Sequence, residues 1–76
     1  MIKGHVLIKL VPGLETEALN QIRSIPGVNE VSLVFGQWDA IVIVEAKTIF
    51  ELTRVVVSQI RGVQGIQDTT TLVGAD

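Results

Sequence analysis

The chain has no cysteine and no tyrosine, one histidine, one tryptophan, one methionine, two prolines, and only six lysines and arginines among 76 residues. Each scarcity removes a class of explanation. Without cysteine there is no disulfide framework, and His5 alone supplies no ligand cluster, so neither covalent staples nor a structural metal are expected to hold the fold. The six bases, Lys3, Lys9, Arg23, Lys47, Arg54 and Arg61, are dispersed and leave a net charge of -2. A protein that neutralises phosphates gathers its bases into a stripe, so direct nucleic-acid binding is not expected. No apolar run approaches the ~20 residues of a membrane helix, and the opening Met1-Ile2-Lys3-Gly4-His5 is no signal-peptide core. The expectation is a soluble cytoplasmic protein without membrane contact, and the missing cysteine suits a reducing compartment.

What the chain does have is apolar side chain, 47 % of its residues. Residues 1–76 are read as one domain, and a domain this small buries a smaller fraction of its surface than larger ones do. With disulfides and metals set aside, oligomerisation is the remaining way to hide so much apolar surface.

A repeat organises the chain. Ile25-Pro26-Gly27-Val28-Asn29-Glu30-Val31 returns as Ile60-Arg61-Gly62-Val63-Gln64-Gly65-Ile66, thirty-five positions later. In both copies an amphipathic segment ends at an apolar residue, a glycine (Gly27, Gly62) is expected to supply the left-handed turn that stops a helix, and a strand begins. Two copies in so short a chain predict a pseudo-symmetric domain rather than a solenoid.

Local patterns place the elements. Lys3 to Val11 alternate, with Val6, Ile8 and Leu10 opposed to Lys3, His5, Leu7 and Lys9, and predict a strand broken by Pro12-Gly13. Leu14, Ala18, Ile22 and Ile25 recur at helical spacing, which predicts a helix from about Leu14 to Ile25. Val28 to Phe35 alternate, Gly36-Gln37 turns the chain, and Trp38 to Ala46 returns as the second arm of a hairpin. Its segment Ala40-Ile41-Val42-Ile43-Val44 is apolar on both faces, which predicts a central strand. Thr48 and Glu51 form a capping box before a second helix running to about Arg61. Its apolar stripe is Ile49, Leu52, Val56 and Ile60, widened by Phe50 and Val57, with Val55 expected on the outside. A last strand from about Gln64 to Val73 contains Thr69, Thr70 and Thr71.

Strand, helix, strand, strand, helix, strand predicts an α+β, ferredoxin-like βαββαβ fold. Right-handed crossovers give a four-stranded antiparallel sheet of order 4-1-3-2 with both helices on one face. The opposite face is left bare, with Leu7 and one set of third-strand side chains at its centre, so the fold is expected to dimerise through it. The helix-facing set is expected to be Val6, Ile8, Leu10, Leu14, Ile22, Val31, Leu33, Leu52 and Val56.

With these elements in place, the chain resembles the effector-binding (RAM) domain of the Lrp/AsnC transcription regulators over nearly its whole length. The resemblance is carried by the strand ending Val11-Pro12-Gly13, the helix ending Ile25-Pro26-Gly27-Val28, the turn Gly36-Gln37-Trp38-Asp39, and Gly62-Val63 leading to the threonine run. It implies a homodimer of sheet faces, assembly of dimers into a higher ring such as an octamer, and a small effector such as an amino acid held between dimers. It also implies a full-length Lrp/AsnC regulator as a possible partner. The family's Gly-x-x-Asp turn maps to Gly36, Trp38 and Asp39, and the tail of its last strand to Thr69, Thr70 and Thr71. An Asp can meet an ammonium, while backbone N–H groups and hydroxyls can meet a carboxylate. Trp38 is bulkier than the small or tyrosyl residue often found at that turn, which would narrow the pocket. The family's N-terminal helix-turn-helix has no counterpart in the 76 residues, so its DNA contact is not carried over. No catalytic residue, metal or cofactor is implied.

Each candidate also has a plainer reading. Asp39 suits a hairpin shoulder, Trp38 an interface, the threonines plain β-propensity, and His5 a solvated strand. Two rival functions stay open. One is an enzyme of the dimeric α+β barrel type with His5 or Asp39 as acid or base, which needs a polar cavity between helices and sheet. The other is a purely structural oligomer or a relative of the ACT amino-acid-binding domains.

Overall fold

Period-two alternation builds the sheet, and glycines punctuate it. A computed structural model describes residues 1–74 of the protein. Its elements are β1 (Ile2–Leu10), α1 (Glu15–Arg23), β2 (Val28–Leu33), β3 (Ala40–Ala46), α2 (Ile49–Val55) and β4 (Ile66–Val73), with α2 continued by a π-helical turn over Val56–Ile60. All pairings are antiparallel and the sheet order is β2-β3-β1-β4, the expected order read from its other edge. The fold is the ferredoxin-like βαββαβ arrangement.

The register separates the two faces. Val6 pairs with Val42 and Ile8 with Ala40, and these side chains, with Leu10, Val44 and Ala46, turn inward and are buried. Ala18, Leu19 and Ile22 of α1 and Leu52, Val56 and Ile60 of the second helical segment close over them. No polar or charged residue is buried among the described residues. A core of that kind gains from burial without unpaired polar groups to offset it.

The second helix departs from the expected stripe. Val55 is half-buried and packs against the core, while Ile49, Phe50 and Val57 are exposed, Phe50 at 72 %. Val55 lies three residues from Leu52 and so shares its face, which turns Phe50 and Val57 outward. The π-helical turn follows from the same geometry. Leu52, Val56 and Ile60 are spaced by four, and at 3.6 residues per turn each step drifts further off the buried face. Admitting one extra residue, with the Arg61 N–H donating to the Val56 carbonyl at 2.9 Å, brings Ile60 back beneath the helix.

Other expectations also shift. The Thr48 hydroxyl accepts the Glu51 N–H at 3.1 Å, as the capping box requires. β1 is displaced by one residue from its expected span, the other elements are shorter than predicted, and Val34 to Asp39 form a wide connection closed by the Val34 N–H on the Asp39 carbonyl at 3.0 Å. Leu33 pairs with Ala40 and so belongs to the helix side, but at the loop end of an edge strand it stays 66 % exposed rather than joining the core. Phe35 lies beyond β2 and is fully exposed.

The repeat is real, but its second glycine is misassigned by the sequence match. Gly27 has φ +97° and β2 starts at the next residue; in the second copy it is Gly65, with φ +104°, that stands directly before β4, while Gly62 is not left-handed. Thirty-eight positions, not thirty-five, separate the two strand starts: the second helical segment runs twelve residues against nine in α1, and five residues rather than four then lead into the strand. A Cβ at Gly65 would also lie 3.1 Å from the Leu14 Cβ and 3.2 Å from the Ala18 Cβ. Gly65→Ala is therefore expected to cost about 1–3 kcal/mol through strain and overpacking. Gly62→Ala should stay within about 0.5 kcal/mol. Urea unfolding of the two variants checks the assignment.

Candidate functional site

The bare face of the sheet is built from the other half of each alternation. Leu7 sits between Ile41 on β3 and Thr70 on β4, and His5 between Ile43 and Leu72. Leu7, Ile41 and Ile43 are half-buried by their own sheet, and Leu72 is exposed. Around this centre, Lys3 stands opposite Glu45 and Lys9 opposite Asp68, pairs of opposite charge across neighbouring strands. The face thus has a middle that is apolar apart from His5 and Thr70, a charged margin, and no helix of the described residues over it.

At one end of the sheet lies the turn from Gly36 to Asp39. Gly36 has φ +119° and is exposed, and Trp38 and Asp39 are half-buried. Asp39 is bound into the sheet: its Oδ2 accepts the Leu10 N–H at 2.8 Å, and its own N–H donates to the Ile8 carbonyl at 2.9 Å. The register of β1 against β4 shifts between Lys9 and Leu10, and there the Asp39 carboxylate takes up the Leu10 N–H. The plainer reading of Asp39 therefore has a definite content, and one carboxylate oxygen is already engaged. Lys9, which the sequence pattern did not single out, reaches the Gln37 carbonyl from the bare face at 3.4 Å.

The threonines lie on the other side of β1. Thr69 pairs with Ile8, Thr70 with Leu7 and Thr71 with Val6, so Thr69 and Thr71 face the helix side and Thr70 the bare face, as alternation requires. Asp39 and Thr69 thus flank β1 from opposite sides, separated by two strand spacings, roughly 10 Å. Within one subunit the six candidate residues do not line one pocket.

Thr69 and Thr71 instead share a trench of about 180 Å³ with Thr53, Val56, Val57 and Arg61. Thr53, Val57 and Arg61 are spaced by four along the second helical segment and form its margin next to β4. Arg61 and Thr53 were missed as candidates. Their spacing was visible in the chain, but only the tertiary structure brings that margin beside an edge strand.

His5 lines an open hollow of about 340 Å³ with Met1, Ile2, Lys3 and Gly74. Among the described residues no acid or nucleophile lines that hollow with it. The space between helices and sheet, where a barrel-type enzyme would keep its cavity, is filled by the apolar core.

Comparison with known proteins settles the family. The model of the Lrp/AsnC ligand binding domain matches residues 5–74. The chain belongs to this family. An uncharacterised HTH-type transcriptional regulator of Pyrococcus horikoshii is 41 % identical over 73 residues, covering 92 % of the chain and 49 % of the regulator. This Lrp/AsnC-family chain spans about half the length of the curated relatives it matches. Among solved structures, a Thermus thermophilus protein superposes with a TM-score of 0.94 at 32 % identity, covering 100 % of this chain and 95 % of that one. A Neisseria meningitidis transcriptional regulator, solved as a complex with L-Met, has the same fold, with a TM-score of 0.89 at 12 % identity over 99 % of this chain and 50 % of that one. No helix of the described residues is long and apolar enough to cross a membrane.

The Asp39 geometry is testable apart from any ligand. Asp39→Ala strands the part-buried Leu10 N–H and should cost about 1–3 kcal/mol, whereas Asp39→Asn keeps an acceptor and should cost less. Thermal and urea unfolding without added ligand would distinguish the two.

Proposed function

We propose that this Lrp/AsnC ligand-binding domain is a regulatory sensing and assembly module. It pairs through the bare face of its sheet, associates further into rings of dimers, and takes a small effector such as an amino acid where dimers meet. The single observation that carries this reading is the uncovered face: Leu7, Ile41, Ile43 and Leu72 stand around its centre with His5 among them, and the charged pairs lie at its margin. If roughly 500 Å² of it per subunit is apolar, pairing gains on the order of 10 kcal/mol per subunit before association costs. A second copy carries the same patch, so a two-fold contact is self-complementary.

Two further observations support an effector at a junction between subunits. The turn Gly36, Trp38 and Asp39 and the threonines Thr69 and Thr71 lie on opposite sides of β1, so a site using both draws them from different subunits. A distant relative of the same fold was solved with L-Met. In this reading Asp39, through its remaining carboxylate oxygen, meets an ammonium, Trp38 forms a wall, and Thr70 belongs to the dimer face rather than the pocket. Ligand shared by two subunits couples effector level to assembly by mass action. The output is a change in a full-length Lrp/AsnC regulator through mixed assembly.

Catalysis is disfavoured by the same features. Among the described residues the apolar core fills the space between helices and sheet, and none stands beside His5 on the bare face as a partner for proton transfer.

Light scattering and analytical ultracentrifugation with a panel of amino acids test the proposal. At micromolar concentration the protein should be at least dimeric, and one or more amino acids should shift the distribution of assemblies. A folded monomer would remove the reading. Leu7→Glu places a charge at the centre of the face and should shift the dimer midpoint upward by at least a hundredfold while leaving the far-ultraviolet circular dichroism unchanged.

A further inference from the structure

We propose that the trench between the second helical segment and β4 is a carboxylate-binding cradle contained within a single subunit, with Arg61, Thr69 and Thr71 as its donors. The inference rests on the sensing reading for its biological setting, but the cradle needs no neighbouring subunit.

Three donors stand together without a use. Arg61 is exposed, and no side-chain hydrogen bond among the described residues engages its guanidinium or the hydroxyls of Thr69 and Thr71. All three residues line the same trench. A guanidinium presents a fork of N–H groups matched to a carboxylate, and hydroxyls on a neighbouring strand supply further donors. Thr53, on the same margin as Arg61, already donates its hydroxyl to the Ile49 carbonyl at 2.9 Å, so it offers only acceptor capacity and leaves the anion to the other three.

Charge and size narrow the ligand. Among the described residues no acidic side chain lines the trench, and Asp68, whose Oδ1 accepts the Thr69 N–H at 2.9 Å, stands opposite Lys9 on the other face of β4. The partial negative charge at the helix C-terminus, about half an elementary charge, is outweighed by the full charge of Arg61 standing there. At about 180 Å³ the trench is smaller than the roughly 300–1,000 Å³ of sites for drug-sized ligands. Val56 and Val57 give it an apolar wall. Those features fit a carboxylate on a short carbon chain, as borne by a small amino acid or a simple organic acid.

The π-helical turn contributes to the arrangement. By drawing Ile60 back under the helix it sets the path of the chain into Arg61, whose N–H closes that turn on the Val56 carbonyl. Such turns recur at functional sites because they re-aim side chains at the expense of regular hydrogen bonding.

The experiment is an NMR titration of the ¹⁵N-labelled protein with propionate, L-alanine and the neutral isostere propionamide. Propionate and L-alanine should shift the Arg61, Thr69 and Thr71 amide signals saturably, and propionamide at equal concentration should not. Arg61→Gln should weaken propionate at least tenfold, Arg61→Lys less, and the double variant Thr69→Val, Thr71→Val by several-fold. Arg61 and Thr71 are exposed and Thr69 is half-buried, and the dispersion of each variant's spectrum verifies that it is folded. Equal shifts with propionamide, unchanged affinity in Arg61→Gln, or shifts confined to residues 36–39 would each overturn the cradle. Light scattering on the same samples keeps the two readings apart. Saturable, Arg61-dependent binding without any change in assembly supports the cradle and counts against sensing at the junction. An amino-acid-driven assembly change that survives Arg61→Gln, with no saturable shift at Arg61, Thr69 and Thr71 in the parent protein, overturns the cradle and leaves the junction reading intact.

Discussion

The rest of the structure depends on the asymmetry of one four-stranded sheet. On one face, β-branched and small residues of the two central strands meet a layer of leucine, isoleucine, valine and alanine from the helical segments, and the seal is wholly apolar. Every inward side chain of a strand commits its neighbour to the outside, so sealing one face defines the composition of the other. That second face carries Leu7, Ile41, Ile43 and Leu72, and no element of the described residues lies over it. The association proposed for the domain arises from that geometry.

The same asymmetry governs the sites. An edge strand with one face toward the helices and one toward the bare surface cannot put three consecutive threonines to a single use. Thr70 belongs to the surface proposed for dimerisation, and Thr69 and Thr71 to the trench beside the second helical segment. Asp39 shows how a residue of a candidate ligand turn can also be part of the frame. By taking the Leu10 N–H at the irregular point of β1 it holds the end of the sheet, and one oxygen remains for other work. A residue used in this way is positioned by the fold before any ligand arrives, which lowers the ordering cost of binding.

Much of the fold could be read directly from the chain. Alternation in β1 and β3, the capping box at Thr48, the glycine after α1 and the element order led to the observed sheet order and to the helices on one face. The misreadings cluster where a continuous α-helix was assumed through Ile60. A stripe centred on Ile49, Leu52, Val56 and Ile60 placed Phe50 and Val57 inside and Val55 outside, and the structure reverses both. The left-handed glycine of the second copy was likewise put at Gly62 by direct sequence match, because the longer second helical segment and the longer turn after it leave no mark in composition. Leu33 met the pattern for burial and failed it through its place at the end of an edge strand.

Periodicity and turn chemistry were sufficient to specify the elements, their order and the apolar character of both sheet faces, because those properties depend on residues near one another in the chain. Family membership was likewise legible from motifs in sequence order. Which residues stand together was decided by pairing across the sheet: Asp39 beside Leu10, Thr69 beyond the far flank of β1, and Arg61 along a trench with Thr69 and Thr71. Strand register and the path of a helix are set by long-range packing of the whole core, where a single extra residue in one turn redirects every side chain that follows.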